Sequence, residues 1–361
     1  MRMFPKLLGG WQLKKVNAGS TRKQVLISLI SVALGLLFCG VLVFFSGDDP
    51  LSLYQQIFSS AFGSLYGFSE TVVEAIPLAL CALGVMIAFR MKLWNIGAEG
   101  QFYMGAFGAT FFALTFPQLP AIVLLPLMAL AGLLCGGAWA LLPAIPKALW
   151  NVNETISTLL MNYIAILWTT YLVFGPWRDP KGKNFPLTVL FPSSATLPTL
   201  GGTRISVSLL VAVLLAVGLF FVFRNSKWGF EIRVSGSSRK AADYAGMHYV
   251  KNVLLVLFVS GAISGFAGMA EVSGVIHRLQ QSISPGYGNT AIIIALIARL
   301  NPLSILLVSF LMGGLLVGGY SLQTAGFPSS MVAMFQGAIL FFVLAGEMFN
   351  NYRLVRKEVR A

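Results

Sequence analysis

Two polar residues lie four positions apart in a glycine-rich stretch of an otherwise apolar chain. Asn95 and Glu99 belong to the segment NIGAEGQ, residues 95–101, which separates two apolar runs. Burying a carboxylate among apolar neighbours is costly unless hydrogen bonds or water satisfy its oxygens. Glu99 is therefore expected to face the protein interior, where the pair could contact a passing solute or clamp two helices together. Asn95 could also cap the helix that follows.

A second polar pair lies inside the apolar run that follows Asn153. Asn153 is placed to cap a helix, and Glu154 in its first turn suits the helix dipole. Asn162 and Tyr163 come about two turns later, where an amide and a phenol need interior partners or a wet cavity. Both are candidates for solute contact, with helix-to-helix hydrogen bonding as the alternative. Asn301 is a further candidate, because it belongs to a polar break between two apolar segments.

The inner connection at residues 224–251 carries the most specific local pattern. Ser237 or Ser238 can cap a short helix over residues 239–245, and Gly246 is placed to end it. Two helical turns do not persist alone in water, so this helix needs something to dock against. A groove on another protein and an anionic lipid surface both suit small alanines beside a tyrosine with basic flanks. The residue pattern leaves these two alternatives open.

Composition places these residues in a lipid environment. The chain has 361 residues, of which 57% are hydrophobic and only 10% are charged. That balance is far outside soluble globular usage and is typical of a polytopic membrane protein. A formal net charge of +13 would suggest nucleic-acid binding in a soluble protein. Here the basic residues cluster between apolar runs, so we expect no nucleic-acid partner and interpret their distribution as membrane topology.

Ten apolar runs approach the roughly 20 residues that a membrane-spanning helix needs. The candidate spans are 25–45, 71–90, 98–117, 121–142, 154–174, 205–223, 252–271, 288–299, 302–320 and 329–349. The span at 288–299 is short, and part of NIGAEGQ must lie at membrane depth for the span after it to cross. The predicted fold is an all-α polytopic membrane protein with about ten transmembrane helices, including broken or short central helices.

The distribution of basic residues predicts the orientation of these spans. With the N-terminus inside, the inner segments hold twenty of the 25 Lys and Arg residues, as the positive-inside rule requires. The predicted organisation is a basic cytoplasmic segment at 1–24, a transmembrane domain at 25–349 that includes the inner connection, and a basic cytoplasmic tail at 350–361. Both termini are expected in the cytoplasm.

Two rival functional classes use the same residues differently. A self-sufficient ion-coupled carrier or channel would use Glu99 as its proton or cation site. An intramembrane enzyme is disfavoured, because His248 and His277 both fall in polar connections and no Ser-His or paired intramembrane Asp arrangement is evident. The same two histidines offer no metal site. The sequence contains no G-x-x-x-x-G-K-[ST] phosphate-binding loop, so any nucleotide hydrolysis must take place on another protein.

Several motifs occur in an order that resembles the permease subunits of bacterial ABC importers, in the branch that carries simple sugars and nucleosides. The matching segments are NIGAEGQ (95–101), NET (153–155), MNY (161–163), SGSSRKAADYAGM (235–247), GYG (286–288) and ARLNP (298–302). Together they cover roughly residues 71–320. The sequence looks most similar to nucleoside permeases served by lipoproteins of the basic-membrane-protein type.

This resemblance implies a half-transporter in the bacterial plasma membrane that works with three partners. They are a second homologous permease subunit, a cytoplasmic ABC ATPase and an extracytoplasmic substrate-binding lipoprotein. The resemblance implies that the chain is non-catalytic and needs no cofactor, because its partner ATPase uses the ATP. Nucleosides are the expected solutes, and simple sugars such as ribose are the alternative.

The resemblance also assigns roles to individual residues. The short inner helix is similar to the coupling helix that enters the ATPase groove. Its expected coupling residues are Gly236, Ser237, Ser238, Arg239, Ala241, Ala242, Tyr244 and Gly246. The pathway or substrate candidates are Asn95, Glu99, Asn162, Tyr163 and Asn301. Two departures from the family pattern occur: Ser238-Arg239 replaces a frequent Asn-Pro, and Ile292 to Ala295 replaces a more glycine-containing stretch, which argues against a solute role for that span.

Overall fold

The computed structural model describes residues 11–15, 21–182 and 185–356, and almost all of this part is helical. Its thirteen α-helices are α1 (Thr21–Phe45), α2 (Pro50–Phe62), α3 (Leu65–Arg90), α4 (Ala98–Thr115), α5 (Ala121–Trp150), α6 (Glu154–Phe174), α7 (Ser208–Asn225), α8 (Lys227–Ser237), α9 (Arg239–Tyr244), α10 (Tyr249–Glu271), α11 (Tyr287–Ile297), α12 (Pro302–Thr324) and α13 (Ser330–Asn351). A 3-10 turn covers Ser193–Ala195 and a π-helical turn covers Val272–Ile276. Two short strands, β1 (Trp11–Lys15) and β2 (Tyr352–Arg356), pair antiparallel.

Each predicted span corresponds to one of these helices, so the all-α polytopic fold is confirmed. Seven helices in the described ranges are long and apolar enough to cross a membrane, namely α1, α3, α5, α6, α7, α10 and α12. α11 has only 11 residues, well short of the roughly 20 that a span needs. α4 has 18 residues and opens with the polar sequence AEGQ. Short central helices are therefore present, as the sequence predicts.

Two helices were not expected from the sequence. α2 has 13 residues and mixes polar with apolar positions, and α8 has 11 residues and contains two glycines. Apolar runs of membrane length predict spanning helices, but shorter helices of mixed composition leave no such signal. α8 matters for function, because it places the predicted inner helix, now α9, at the end of a longer helical segment.

The chain divides into two compact units, and the first consists of residues 1–55 and 322–361. Within its described part, α1 packs along α13. Gly35 permits this close approach, since a Cβ there would lie 3.0 Å from the Cα of Ile339. β1 and β2 join the two terminal segments, in a register that places Lys15 opposite Tyr352.

The second unit, residues 56–321, is centred on α10, which packs against α3, α4 and α5. Glycine makes this packing possible, as the small-residue spacing of Gly261 and Gly265 predicts. A Cβ at Gly265 would lie 2.8 Å from the Cα of Gly136 on α5, and a Cβ at Gly261 would lie 2.5 Å from the Gly136 carbonyl oxygen. The two helices therefore meet backbone to backbone.

Gly265→Ala should destabilise the protein, because its new methyl group would overlap the α5 backbone and force the helices apart. Overpacking of this kind costs about 1–3 kcal/mol. We expect a clear fall in the melting temperature of the detergent-purified protein. The matched control is Gly337→Ala on α13, where a Cβ meets no atom within 4 Å. A melting temperature unchanged in Gly265→Ala would contradict the close packing of α10 on α5.

Candidate functional site

Asn95 lies in the irregular chain between α3 and α4, residues 91–97, here called the connecting segment. It is fully buried, and both ends of its amide are satisfied. Its Nδ2 donates to Gln101 Oε1 at 3.1 Å and to Ser260 Oγ at 2.9 Å. Its Oδ1 accepts from Gly97 N and from Gln101 Nε2, both at 3.0 Å. Asn95 thus ties the connecting segment to α4 and α10.

The expectation that Asn95 caps the following helix is wrong. α4 begins at Ala98, Gly97 occupies its N-cap position, and no side chain caps it there. Asn95 also lies beyond the end of the preceding helix, because α3 ends at Arg90. Asn95 stands outside both helices and bonds to Gln101, so it does not share a helical face with Glu99. The non-helical backbone before Ala98 points the two side chains at different partners.

Polar side chains on one face of α6 bind the backbone of the connecting segment and of the first turn of α4. Glu154, Thr158 and Asn162 are spaced four residues apart, share that face, and are all buried. The contacts are Trp94 N to Glu154 Oε1 at 3.3 Å, Ile96 N to Thr158 Oγ1 at 3.2 Å, Gly100 N to Asn162 Oδ1 at 2.8 Å, and Asn162 Nδ2 to Ile96 O at 2.8 Å. This polar face of α6 therefore holds an irregular backbone that would otherwise lack partners.

Sequence reasoning found part of this arrangement. Asn153 caps α6 by accepting from Thr155 N at 3.0 Å, as predicted. Glu154 also forms an ion pair with Lys147, with 2.9 Å between Oε2 and Nζ. The sequence argument from the helix dipole did not predict this ion pair. Thr158 was missed, although its spacing of four residues from both Glu154 and Asn162 is the sequence signal that would have revealed it.

Asn162→Ala should destabilise the protein more than Tyr163→Phe does. Asn162→Ala removes both hydrogen bonds of the Asn162 amide, so the Gly100 N–H and the Ile96 carbonyl lose this partner. Each buried group left unsatisfied lowers the free energy of unfolding by about 1–3 kcal/mol. Tyr163 is 60% exposed, so loss of its hydroxyl should change the free energy of unfolding little. Thermal melting of the two variants measures the difference. Equal melting temperatures would contradict a clamping role for Asn162.

Glu99 lies in the first turn of α4 and binds the beginning of α11. It is 4% exposed, and its Oε2 accepts from Gly288 N at 2.6 Å. Ser284 and the Asn289 backbone also hydrogen-bond to this carboxylate. A negative charge is favourable at a helix N-terminus, where backbone N–H groups point outward. Glu99 therefore faces the interior, as predicted, and joins two segments that are far apart in sequence.

Other groups that the sequence reasoning missed hold the same short helix. Tyr287, the first residue of α11, donates its hydroxyl hydrogen to Glu74 Oε2 on α3 at 2.8 Å. Beyond the far end of α11, Arg90 donates to the Leu300 carbonyl oxygen from Nε at 3.1 Å and from Nη2 at 2.6 Å. A carboxylate within an apolar run, as at Glu74, was the available sequence signal.

The remaining pathway candidates lie apart from these clusters. Tyr163 is exposed on α6, on the side away from the connecting segment, together with Tyr171 and Trp168. Asn301 is exposed and caps α12, since its Oδ1 accepts from Leu303 N at 3.0 Å. Of the five predicted pathway residues, Asn95, Glu99 and Asn162 are buried and bond to other elements of the chain, whereas Asn301 bonds to the first turn of the helix that follows it.

The inner connection forms the predicted short helix. Ser238, not Ser237, caps α9: its Oγ accepts from Ala241 N at 3.3 Å, while Ser237 Oγ donates to the Arg233 carbonyl in α8. Gly246 follows the helix with φ +72°, a conformation that glycine adopts without strain. Ala242 is fully buried against its own chain.

The opposite side of α9 faces outward. Ala241 is exposed, and the Tyr244 ring is 96% exposed. An exposed aromatic ring beside a small residue is a typical protein contact surface. The two neighbouring alanines therefore differ: Ala242 packs against the chain, and Ala241 belongs to the exposed face of α9.

Comparison with known proteins identifies the family. Residues 67–344 match the family described as branched-chain amino acid transport system / permease component. The chain belongs to this permease family. The permease is 36% identical over 342 residues to a glucose ABC transporter permease protein of Haloferax volcanii, covering 91% of this chain and 88% of the relative. It is 33% identical to a guanosine ABC transporter permease protein of Bacillus subtilis, covering 89% and 93%.

A third relative is a nucleoside ABC transporter permease protein of Lactococcus lactis. It is 29% identical to the permease, covering 89% of this chain and 91% of the relative. The family match and the apolar helices together establish the permease as a multi-pass membrane protein with a transport role.

Proposed function

We propose that the permease is the membrane-spanning subunit of an ATP-driven importer and forms half of a translocation pathway for nucleosides. Two of the relatives described above are named as guanosine or nucleoside ABC transporter permeases, which supports this solute class. The observation that carries the ATP-driven mechanism is the exposed face of α9. A helix of six residues is too short to be stable alone, and its Tyr244 ring is 96% exposed. Both features favour a cytoplasmic partner that covers this face.

A protein groove fits this face better than a lipid surface does. Arg239 lies 3.8 Å from Asp243 and stacks over the Tyr249 ring at 4.8 Å, so its charge is partly engaged within the chain. Lipid binding relies on several free basic side chains, and α9 offers the exposed Lys240 beside the engaged Arg239. The small Ala241 beside Tyr244 instead offers a shape that a groove can enclose. The partner proposed for this face is the cytoplasmic ATPase.

The other proposed partners complete the transporter. A second homologous permease subunit would meet this one along the exposed aromatic face of α6, which carries Tyr163, and the two would enclose the pathway. A tyrosine hydroxyl in the middle of a spanning helix favours a wet or protein-covered surface over lipid tails. An extracytoplasmic lipoprotein would deliver the solute. The permease itself is proposed to be non-catalytic and free of cofactors.

The proposed location is the bacterial plasma membrane with both termini in the cytoplasm. Pairing of β1 with β2 supports the same side for both ends, because a two-stranded ribbon needs its strands together. The inner connection, with α8 and α9, then faces the cytoplasm, where an ATPase would be available. The excess of Lys and Arg in the inner segments supports this orientation.

Uptake by the reconstituted complex tests the proposal. The permease is purified with a candidate ATPase, second permease and binding protein, and inserted into vesicles. We expect uptake of radiolabelled guanosine that requires ATP and that excess unlabelled nucleosides compete away. Uptake of glucose in place of guanosine would establish the alternative solute class, which the relative from Haloferax volcanii supports.

The permease without the ATPase provides the matching control. A self-sufficient carrier would accumulate solute when an ion gradient is imposed across the vesicle membrane. We expect no accumulation under that condition. Gradient-driven uptake by the chain alone would overturn the ATP-driven mechanism, and a hydrolytic product formed by the chain alone would overturn its non-catalytic assignment.

A further inference from the structure

The connecting segment touches the inner helices at its beginning. α8 reaches it through Gly236, where a Cβ would lie 2.8 Å from the carbonyl carbon of Met91. Any side chain at Gly236 would separate these two backbones, so α8 rests directly on Met91. Ser238 both ends α8 and caps α9, so a single residue with an extended backbone separates the two helices. A displacement of α9 would therefore also displace α8 and the Met91 backbone that α8 contacts.

Arg90, the residue before Met91, holds the far end of α11. Its two hydrogen bonds to the Leu300 carbonyl join α3 to the break between α11 and α12. The same guanidinium lies 4.3 Å from the centre of the Phe223 ring. Arg299 and Leu300 are both left-handed, with φ +52° and +57°, at a cost of about 1–2 kcal/mol for each non-glycine residue. The bonds from Arg90 help to stabilise this strained turn.

Glu99, just after the connecting segment, holds the near end of α11 through Gly288 N. Gly288 cannot carry a side chain, because its Cβ would lie 2.6 Å from the Glu99 Cα. α11 is 11 residues long, about 16 Å of helix, and both of its ends are bound by groups that flank residues 91–97. The ends of α11 are therefore held by residues on either side of the connecting segment.

The connecting segment is stiff although it is not helical. Trp94 N and Ile96 N are bound by α6 side chains, and Asn95 is bound to α4 and α10. A segment with its backbone and side chains held in this way moves as one body with its neighbours. It can pass on a displacement, whereas a loose loop would absorb it.

We propose that the connecting segment transmits motion of α8 and α9 to α11, and that Gly236, Arg90 and Glu99 are the positioning residues of this link. This inference rests on the proposed function and extends it by naming the element that the ATPase would move. When α9 shifts with its docked partner, α8 pushes Met91, and α11 follows because Arg90 and Glu99, which flank the connecting segment, hold its two ends. Displacement of α11 is then the step that couples ATP hydrolysis to solute transport.

The ratio of solute transported to ATP hydrolysed tests the contact at Gly236. In the reconstituted complex, Gly236→Ala should lower this ratio at least tenfold, because ATP hydrolysis continues while its motion no longer reaches α11 with the correct geometry. Gly218→Ala on α7, where a Cβ meets no atom within 4 Å, should keep the wild-type ratio. A wild-type ratio in Gly236→Ala would overturn the proposal. Absence of ATP-driven uptake in the wild-type complex would instead overturn the proposed function.

Hydrogen exchange supplies a second test that remains valid if Gly236→Ala fails to fold. In the wild-type complex, trapping the ATPase with ATP and vanadate should change amide exchange both in residues 227–246 and in residues 284–301. Arg90→Met should preserve the first change and abolish the second, and Arg90→Lys, which keeps a single donor nitrogen, should restore part of it. If Arg90→Met only destabilised the permease, amide exchange in both regions would already differ from wild type in the absence of nucleotide. An unaltered response of residues 284–301 in Arg90→Met would overturn the link.

Discussion

Tyr244→Ala should reduce ATP-driven uptake at least tenfold without changing the melting temperature of the isolated permease. The Tyr244 ring is 96% exposed, so its removal costs the fold little. In a docked complex the ring would be buried, and the loss of an aromatic hot spot typically costs 2 kcal/mol or more, roughly a 30-fold loss of affinity. Ala241→Trp should act in the same direction, because a large side chain on the exposed face of α9 would obstruct a groove.

Two controls separate docking from folding in this experiment. Phe185→Ala removes another exposed aromatic ring, 64% exposed in the segment between α6 and α7, and should leave ATPase binding unchanged. Ala242→Trp should lower the melting temperature, because Ala242 is fully buried. Binding of the purified ATPase to each variant gives the direct measurement. Wild-type affinity in both Tyr244→Ala and Ala241→Trp would exclude α9 as the docking element.

Glu99→Leu should lower uptake far more than Glu99→Gln does. The Glu99 carboxylate accepts from Gly288 N, Ser284 and the Asn289 backbone. Leucine satisfies none of these donors, and each buried group left without a partner costs about 1–3 kcal/mol. Glutamine keeps one accepting oxygen but brings an NH2 group that cannot accept from a backbone N–H. We expect uptake about a hundredfold lower for leucine and about tenfold lower for glutamine, following from those penalties.

Comparing the uptake of Glu99→Gln with that of Glu99→Leu also decides between two roles for Glu99. If Glu99 served as a proton or cation site, loss of its charge would be as harmful in Glu99→Gln as in Glu99→Leu. Asp48→Asn removes a negative charge outside the helices and should leave uptake unchanged. Equal loss in the glutamine and leucine variants, with Asp48→Asn active, would favour the ion-coupled carrier over a hydrogen-bonded clamp.

Local features of the sequence determined the helices and their ends. Membrane-length apolar runs predicted the spanning helices, because a bilayer requires that length and composition. The cap at Asn153 and the turn at Gly246 follow from a side-chain oxygen and a glycine within a few residues of the helix ends. α9 was predictable for the same reason, since its start and stop signals lie within it or beside it.

Tertiary structure alone decided which groups meet across the fold. Glu99 and Gly288 N are 189 residues apart in sequence, and Arg90 and the Leu300 carbonyl are 210 apart. Every residue has a backbone carbonyl and nearly every residue has a backbone N–H, so the sequence pattern could not predict which of these groups the two side chains bind. The two faces of α9 also required the packed chain, because Ala241 and Ala242 are identical in type and differ only in the side on which α9 packs. Capping and apolar length act over a few residues, whereas burial depends on elements that the chain brings together only when it folds.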